Sequence, residues 1–185
     1  MIPKFIKVRD IIDDYVQNHL GGIQKELRSC NNPHDFVYGK PLNKHQQRWN
    51  GQFDDVVDAL EQVNFHIQDF ESYEDLYDAV KKIYEANGHS NAILAIYDTT
   101  LRIGYNHSPQ ILPEQYVYLY GTNKTGPLGG ATRLYGQAWI DKHFDKINHR
   151  IETKWFAKEF PDLPSWEIES ILCIYADCFT YQMPY

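Results

Sequence analysis

An aspartate and an arginine one helical turn apart, inside an otherwise apolar segment, are the most chemically suggestive residues of this chain. They are Asp98 and Arg102, in the run Tyr97-Asp98-Thr99-Thr100-Leu101-Arg102-Ile103-Gly104. An ionised carboxylate in apolar surroundings is costly unless it is paired or put to work. At i, i+4 the two side chains meet on one helix face. Two roles stay open: an internal Asp–Arg brace, or a catalytic carboxylate that Arg102 holds and tunes. A second cluster joins His45 and Arg48, with His34, Lys40 and Lys44 nearby. It combines a side chain that exchanges protons near neutrality with one that grips phosphate through two hydrogen bonds. Its plainer role is a loop tied down by ordinary side-chain hydrogen bonds.

The glycine-rich stretch at residues 121–130, beginning with Gly121, can set backbone amides against a phosphate, with Lys124 adding charge. It lacks the Gly-Lys-Ser/Thr ending of a P-loop and the spacing of a dinucleotide fold. It therefore reads as the rim of a site or a contact to a nucleic-acid backbone. Among the 14 Tyr, nine Phe and four Trp, most belong in a core. Tyr97, Tyr105 and Trp49 are the rings best placed to wall a base. Metal binding finds no support: the eight histidines are scattered, with no His-Glu-x-x-His, and the three cysteines, Cys30, Cys173 and Cys178, form no ligand pair. Cys173 and Cys178 read as apolar fillers, and no cofactor is implied. A Gly-x-Ser-x-Gly elbow is also absent, which removes the usual serine hydrolase.

The elements that must hold these residues read as helices. Apolar steps of three and four run from Phe5 to Leu20, over about 51–66 on Phe53, Val56, Val57, Leu60 and Val63, and from Tyr73 to Ala86. Ser72 caps the last of these, and Asn87–Gly88 stops it. Residues 91–104 are apolar on most sides, which belongs at the centre of a helical protein. Residues 29–50 read as a long, irregular but packed segment. The aromatic run 116–120 reads as a helical turn, because Pro113 and Glu114 suit a helix start. Further helices are expected at about 131–148, 151–159 and 165–180. The expected fold is all-α: one compact helical domain over residues 1–185, with a helix-hairpin-helix element and one glycine-rich loop.

That hairpin, Asn87-Gly88-His89-Ser90, followed by the segment Asp98-Thr99-Thr100-Leu101-Arg102-Ile103, resembles the helix-hairpin-helix DNA glycosylase superfamily. The resemblance covers roughly 30 of the 185 residues. It implies that Asp98 sits at the mouth of a pocket for a flipped-out base and assists cleavage of the N-glycosidic bond. No lysine stands between hairpin and Asp98, so the most it implies is a monofunctional enzyme without a Schiff base. Residues 45–48, 97–104, 117–126 and 167–175 also resemble segments of a set of small bacterial proteins, which implies that they share one domain.

The formal net charge of −7 is unevenly spread. Residues 1–50 carry eight Lys/Arg against five Asp/Glu and residues 91–150 six against four, so both are mildly basic. Residues 51–90 carry two against ten, and residues 151–185 two against six. Every candidate above lies in a basic stretch, so a local groove for DNA is compatible with an acidic chain. The charged N-terminus has no signal-peptide core, and no apolar run approaches a membrane span. A cytoplasmic location without membrane contact is expected. The leading expectation is a DNA glycosylase-like hydrolase, in repair or in defence against modified phage DNA. Asp98, Arg102 and His45 would be catalytic, and Arg48, Trp49, Tyr97, Tyr105, Lys124 and Gly121 would bind substrate. The alternatives are a non-enzymatic nucleic-acid adaptor or antitoxin-like interaction module, and an enzyme acting on a small nucleotide.

Overall fold

The computed structural model describes residues 5–39, 51–62 and 69–185. The chain is mostly helical, as its periodicity requires, with one two-stranded antiparallel sheet among the described residues. It divides into two compact units: Gly21–Pro113, and a unit made from both chain ends, residues 5–20 with Glu114–Tyr185. Among the described residues no helix is long and apolar enough to cross a membrane.

In the unit Gly21–Pro113, helices α2 (Gly22–Leu27), α3 (Pro33–Tyr38), α4 (Asp54–Gln62) and α5 (Tyr73–Ala86) accompany α6 (Ile93–Asn106). Helix α6 is the axis, with every residue from Ala95 to Gly104 buried and α2, α3 and α5 packed on it. Ile96, Leu101 and Ile103 are sealed from water, each contributing about 1.5–3 kcal/mol of hydrophobic stabilisation. Helix α5 starts at Ser72, whose hydroxyl accepts from the Asp75 amide at 3.2 Å and donates to the Asp75 carboxylate at 2.6 Å. It ends at Gly88, whose φ of +83° is left-handed. Within residues 29–50, the part described holds α3, which Asn32 caps by accepting from the Asp35 amide.

In the other unit, α1 (Val8–Asn18), α7 (Gly126–Tyr135), α8 (Gln137–His143) and α9 (Ser165–Ile174) accompany strands β1 (Tyr116–Tyr118) and β2 (Arg150–Glu152), with α9 packed on α7 and β1. Val8, Ile11, Val117, Leu134, Ile151, Phe156, Ile168 and Leu172 share its core. Gly130 lets α7 lie against α9, since a Cβ there would sit 2.1 Å from the Leu172 carbonyl oxygen.

Several expectations are corrected here. Residues 116–120 are not a helical turn: Val117 pairs with Ile151 across the β1–β2 ladder and both are buried, a burial that alternating Tyr-Val-Tyr suits better than a helix. The helix expected at 131–148 is two helices broken at Gly136, whose φ of +86° a side chain resists. The helix expected at 151–159 is β2 followed by a single 3-10 turn, Thr153–Phe156. The glycine-rich loop is shorter than expected, because α7 already begins at Gly126. Helix α1 spans 8–18 rather than 5–20, α9 stops at Ile174, and α4 is described only to Gln62.

Candidate functional site

Helix α6 carries Tyr97, Asp98, Arg102 and Tyr105, and its burial decides their geometry. Asp98 and Arg102 are each about 1% exposed. Arg102 donates from Nε to Asp98 Oδ2 at 2.9 Å, as a one-turn ion pair. Its Nη1 donates to Cys30 Sγ at 3.1 Å and reaches the Asp35 carbonyl at 3.5 Å. The guanidinium has room because residue 39 is glycine: a Cβ there would lie 2.1 Å from Nη1. Burial alone would lower the Arg102 pKa, but the Asp98 charge and the hydrogen bonds to Cys30 and Asp98 outweigh it and raise the value, so the cation persists. Burial pushes the Cys30 thiol up, only partly offset by Arg102.

The neighbours of Asp98 are tied inward as well. Tyr73 donates to the Tyr97 carbonyl at 3.3 Å, the Tyr84 and Thr99 hydroxyls bond at 2.8 Å, and Thr100 donates back to the Ile96 carbonyl. Tyr97 is buried, whereas Tyr105 is half-buried and accepts from Arg28 Nε at 3.2 Å. The structure thus brings Tyr97, Asp98 and Arg102 together as an interior group that fastens α6 to Cys30 and α3. His45, Arg48, Trp49, Lys40 and Lys44 lie outside the described residues.

The hairpin between α5 and α6 is present and has its own tie. The His89 amide donates to the Tyr84 carbonyl, and its imidazole Nε2 lies 2.9 and 3.0 Å from the two Asp55 oxygens at the start of α4. The two residues are 34 positions apart, so no local spacing announced the pair.

The loop carrying Gly121 and Lys124 belongs to the other unit. Lys124 is exposed, and Gly121 has φ +94°. The loop's amides are largely spent internally. Thr122 and Thr125 exchange backbone hydrogen bonds, Lys124 donates to the Thr122 hydroxyl at 3.2 Å, and Leu128 donates to the Tyr120 carbonyl. Arg133 anchors the loop by donating to the Lys124 and Ala176 carbonyls and pairing with Asp177 at 3.0 Å. A loop whose donors are committed in this way is poorly suited to cradle a phosphate, which weakens the small-nucleotide alternative.

Sequence reasoning missed a buried polar group on α9. Glu167 and Glu169 are both buried. Tyr15 of α1 donates to Glu167, and the Tyr120 hydroxyl donates to Glu169 Oε1 at 2.5 Å. Burial, followed by the Glu167 charge, pushes the Tyr15 phenol far above its usual range. The Cys173 thiol is pushed up to about 12, first by burial and then by Glu169. These bonds fasten α1 and the segment that follows β1 to α9, over separations of 152 and 49 residues. Among the described residues no group of three or more His, Cys, Asp or Glu is arranged to hold a metal ion. Comparison with protein-family models, curated proteins and solved structures finds no match to the chain.

Proposed function

We propose that the chain is a non-enzymatic nucleic-acid-binding module in which Asp98 and Arg102 form a structural brace. The supporting observation is the closure of Asp98: its carboxylate is bonded to Arg102 inside the protein and about 1% exposed. A carboxylate that assists departure of a base must meet the sugar of an extruded nucleotide, and a sealed ion pair gives it no access. The basic balance of residues 91–150 and the exposed Lys124, Lys142 and Lys146 support contact with a polyanion.

The test uses the wild-type protein on single- and double-stranded DNA carrying normal, deaminated, oxidised or alkylated bases. Salt-sensitive binding without free base in the supernatant is the expected result. Base release that disappears in a folded Asp98→Asn variant overturns the non-enzymatic reading, and failure to bind any strand overturns the nucleic-acid reading. A base-excision reading keeps one supporting point: the short hairpin joins α5 to α6, and Asp98 lies on the second of these helices. It requires Asp98 to separate from Arg102 when DNA binds.

A further inference from the structure

A ladder of rings climbs from the core of the unit 114–185 to its surface. Tyr135, at the end of α7, stacks on Trp139 of α8 with centroids 4.2 Å apart and planes 17° from parallel. Both rings meet the sealed Phe156 edge-on, and the Tyr135 hydroxyl donates to Glu159 at 3.0 Å, so the inner rungs are fixed. His143, one turn beyond Trp139, lies 4.8 Å from it and 4.3 Å from Trp155 on the 3-10 turn. Trp155, the outermost rung, is 43% exposed. Packed by His143 and with Lys154 over its ring, Trp155 still leaves much of its surface to solvent, where a flat partner can stack.

Cations flank this surface. Lys154 Nζ lies 5.4 Å from the Trp155 ring centroid, and Lys142 is the chain neighbour of His143. The Lys154–Glu152 pair is exposed on both sides and is easily exchanged for a phosphate. From Trp139 to Lys158 the chain carries five Lys/Arg against three Asp/Glu, in a protein whose net charge is −7. Slight burial, then repulsion from Lys142, hold the His143 pKa below its usual value, so the imidazole is a neutral ring at physiological pH. A sugar that stacks on tryptophan needs no cations beside it, whereas a nucleotide needs both features. In a duplex each base already has its faces covered, but in a single strand they are free.

Resting on the nucleic-acid reading above, we infer that the Trp139–His143–Trp155 ladder with Lys142 and Lys154 is a binding site for single-stranded nucleic acid. A base would stack on the exposed part of the Trp155 ring, with Lys154 turning from the ring toward the adjoining phosphates alongside Lys142.

The test measures fluorescence anisotropy with a labelled twelve-nucleotide oligothymidine, the same strand with abasic sites throughout, and a duplex. Oligothymidine should bind the wild type most tightly. Trp155→Ala should weaken it about tenfold or more, to the level of the abasic strand. Lys154→Gln should lower the magnitude of the salt slope by about 0.7. Circular dichroism establishes that both variants are folded. If Trp155→Ala binds like the wild type, or abasic and base-bearing strands bind alike, the site is overturned while the nucleic-acid reading stands. If the wild type binds no strand at low salt, both fall.

Discussion

The guanidinium of Arg102 lies 2.9 Å from the Asp98 carboxylate, and neither side chain reaches the solvent. A pair of this kind holds geometry more than it adds stability, because desolvating both charges offsets most of their attraction. Its geometric consequence is large, since Arg102 also donates to Cys30 Sγ and reaches the Asp35 carbonyl.

Removing one partner should therefore be worse than removing both. Asp98→Asn and Arg102→Met are each expected to cost about 3–5 kcal/mol, because each breaks a buried ion pair. The double variant Asp98→Leu/Arg102→Met should be more stable than either single variant. Urea denaturation of the set measures this, and additive losses would show that the two residues do not act as a unit.

Close approach requires glycine at several positions, Gly39 and Gly130 among them. Gly39→Ala places a methyl 2.1 Å from Arg102 Nη1 and 2.3 Å from the Asp35 carbonyl, and Gly130→Ala places one 2.1 Å from the Leu172 carbonyl. Each should cost at least about 1–3 kcal/mol through overpacking. Gly22→Ala, where a Cβ meets nothing within 4 Å, should be close to neutral. Thermal denaturation of the three variants tests the contrast.

Acid should unmask the turn before β2. Burial alone would raise the Asp145 pKa, but the Asn148 side chain and the amides of Asn148 and Ile147, together with Arg150, outweigh it and hold the value below the ordinary carboxylate range. A depressed folded-state pKa gives stability that is present above the unfolded value and lost as pH falls through the folded one. Asp145→Asn should therefore be less stable than the wild type at pH 6, with the difference closing as the pH falls below the ordinary carboxylate range. Urea midpoints at a series of pH values measure it, and a difference that does not depend on pH would remove the carboxylate from the account.

How much was legible in the sequence follows from the range of each interaction. Helix α5 was readable from Ser72 to Gly88, because capping and left-handed glycine are decided within a few residues. The central place of α6 was readable too, since apolar side chains on most faces have nowhere else to go. The Asp98–Arg102 pair was legible as a contact, one helical turn being fixed geometry. Whether that contact was open or sealed was not legible.

What the amino-acid order determined by itself is therefore local: the mostly helical character, the α5–hairpin–α6 unit, and the meeting of Asp98 with Arg102. Only the tertiary structure decided that Arg102 reaches Cys30 across 72 residues and that His89 grips Asp55. It alone decided that Tyr15 donates to Glu167, that β1 finds β2, and that His143 and Trp155 finish a ring ladder. The physical reason is the same in each case. A hydrogen bond or stack between distant residues depends on packing of whole elements, and that packing is set by the summed burial of side chains rather than by any spacing a short window contains.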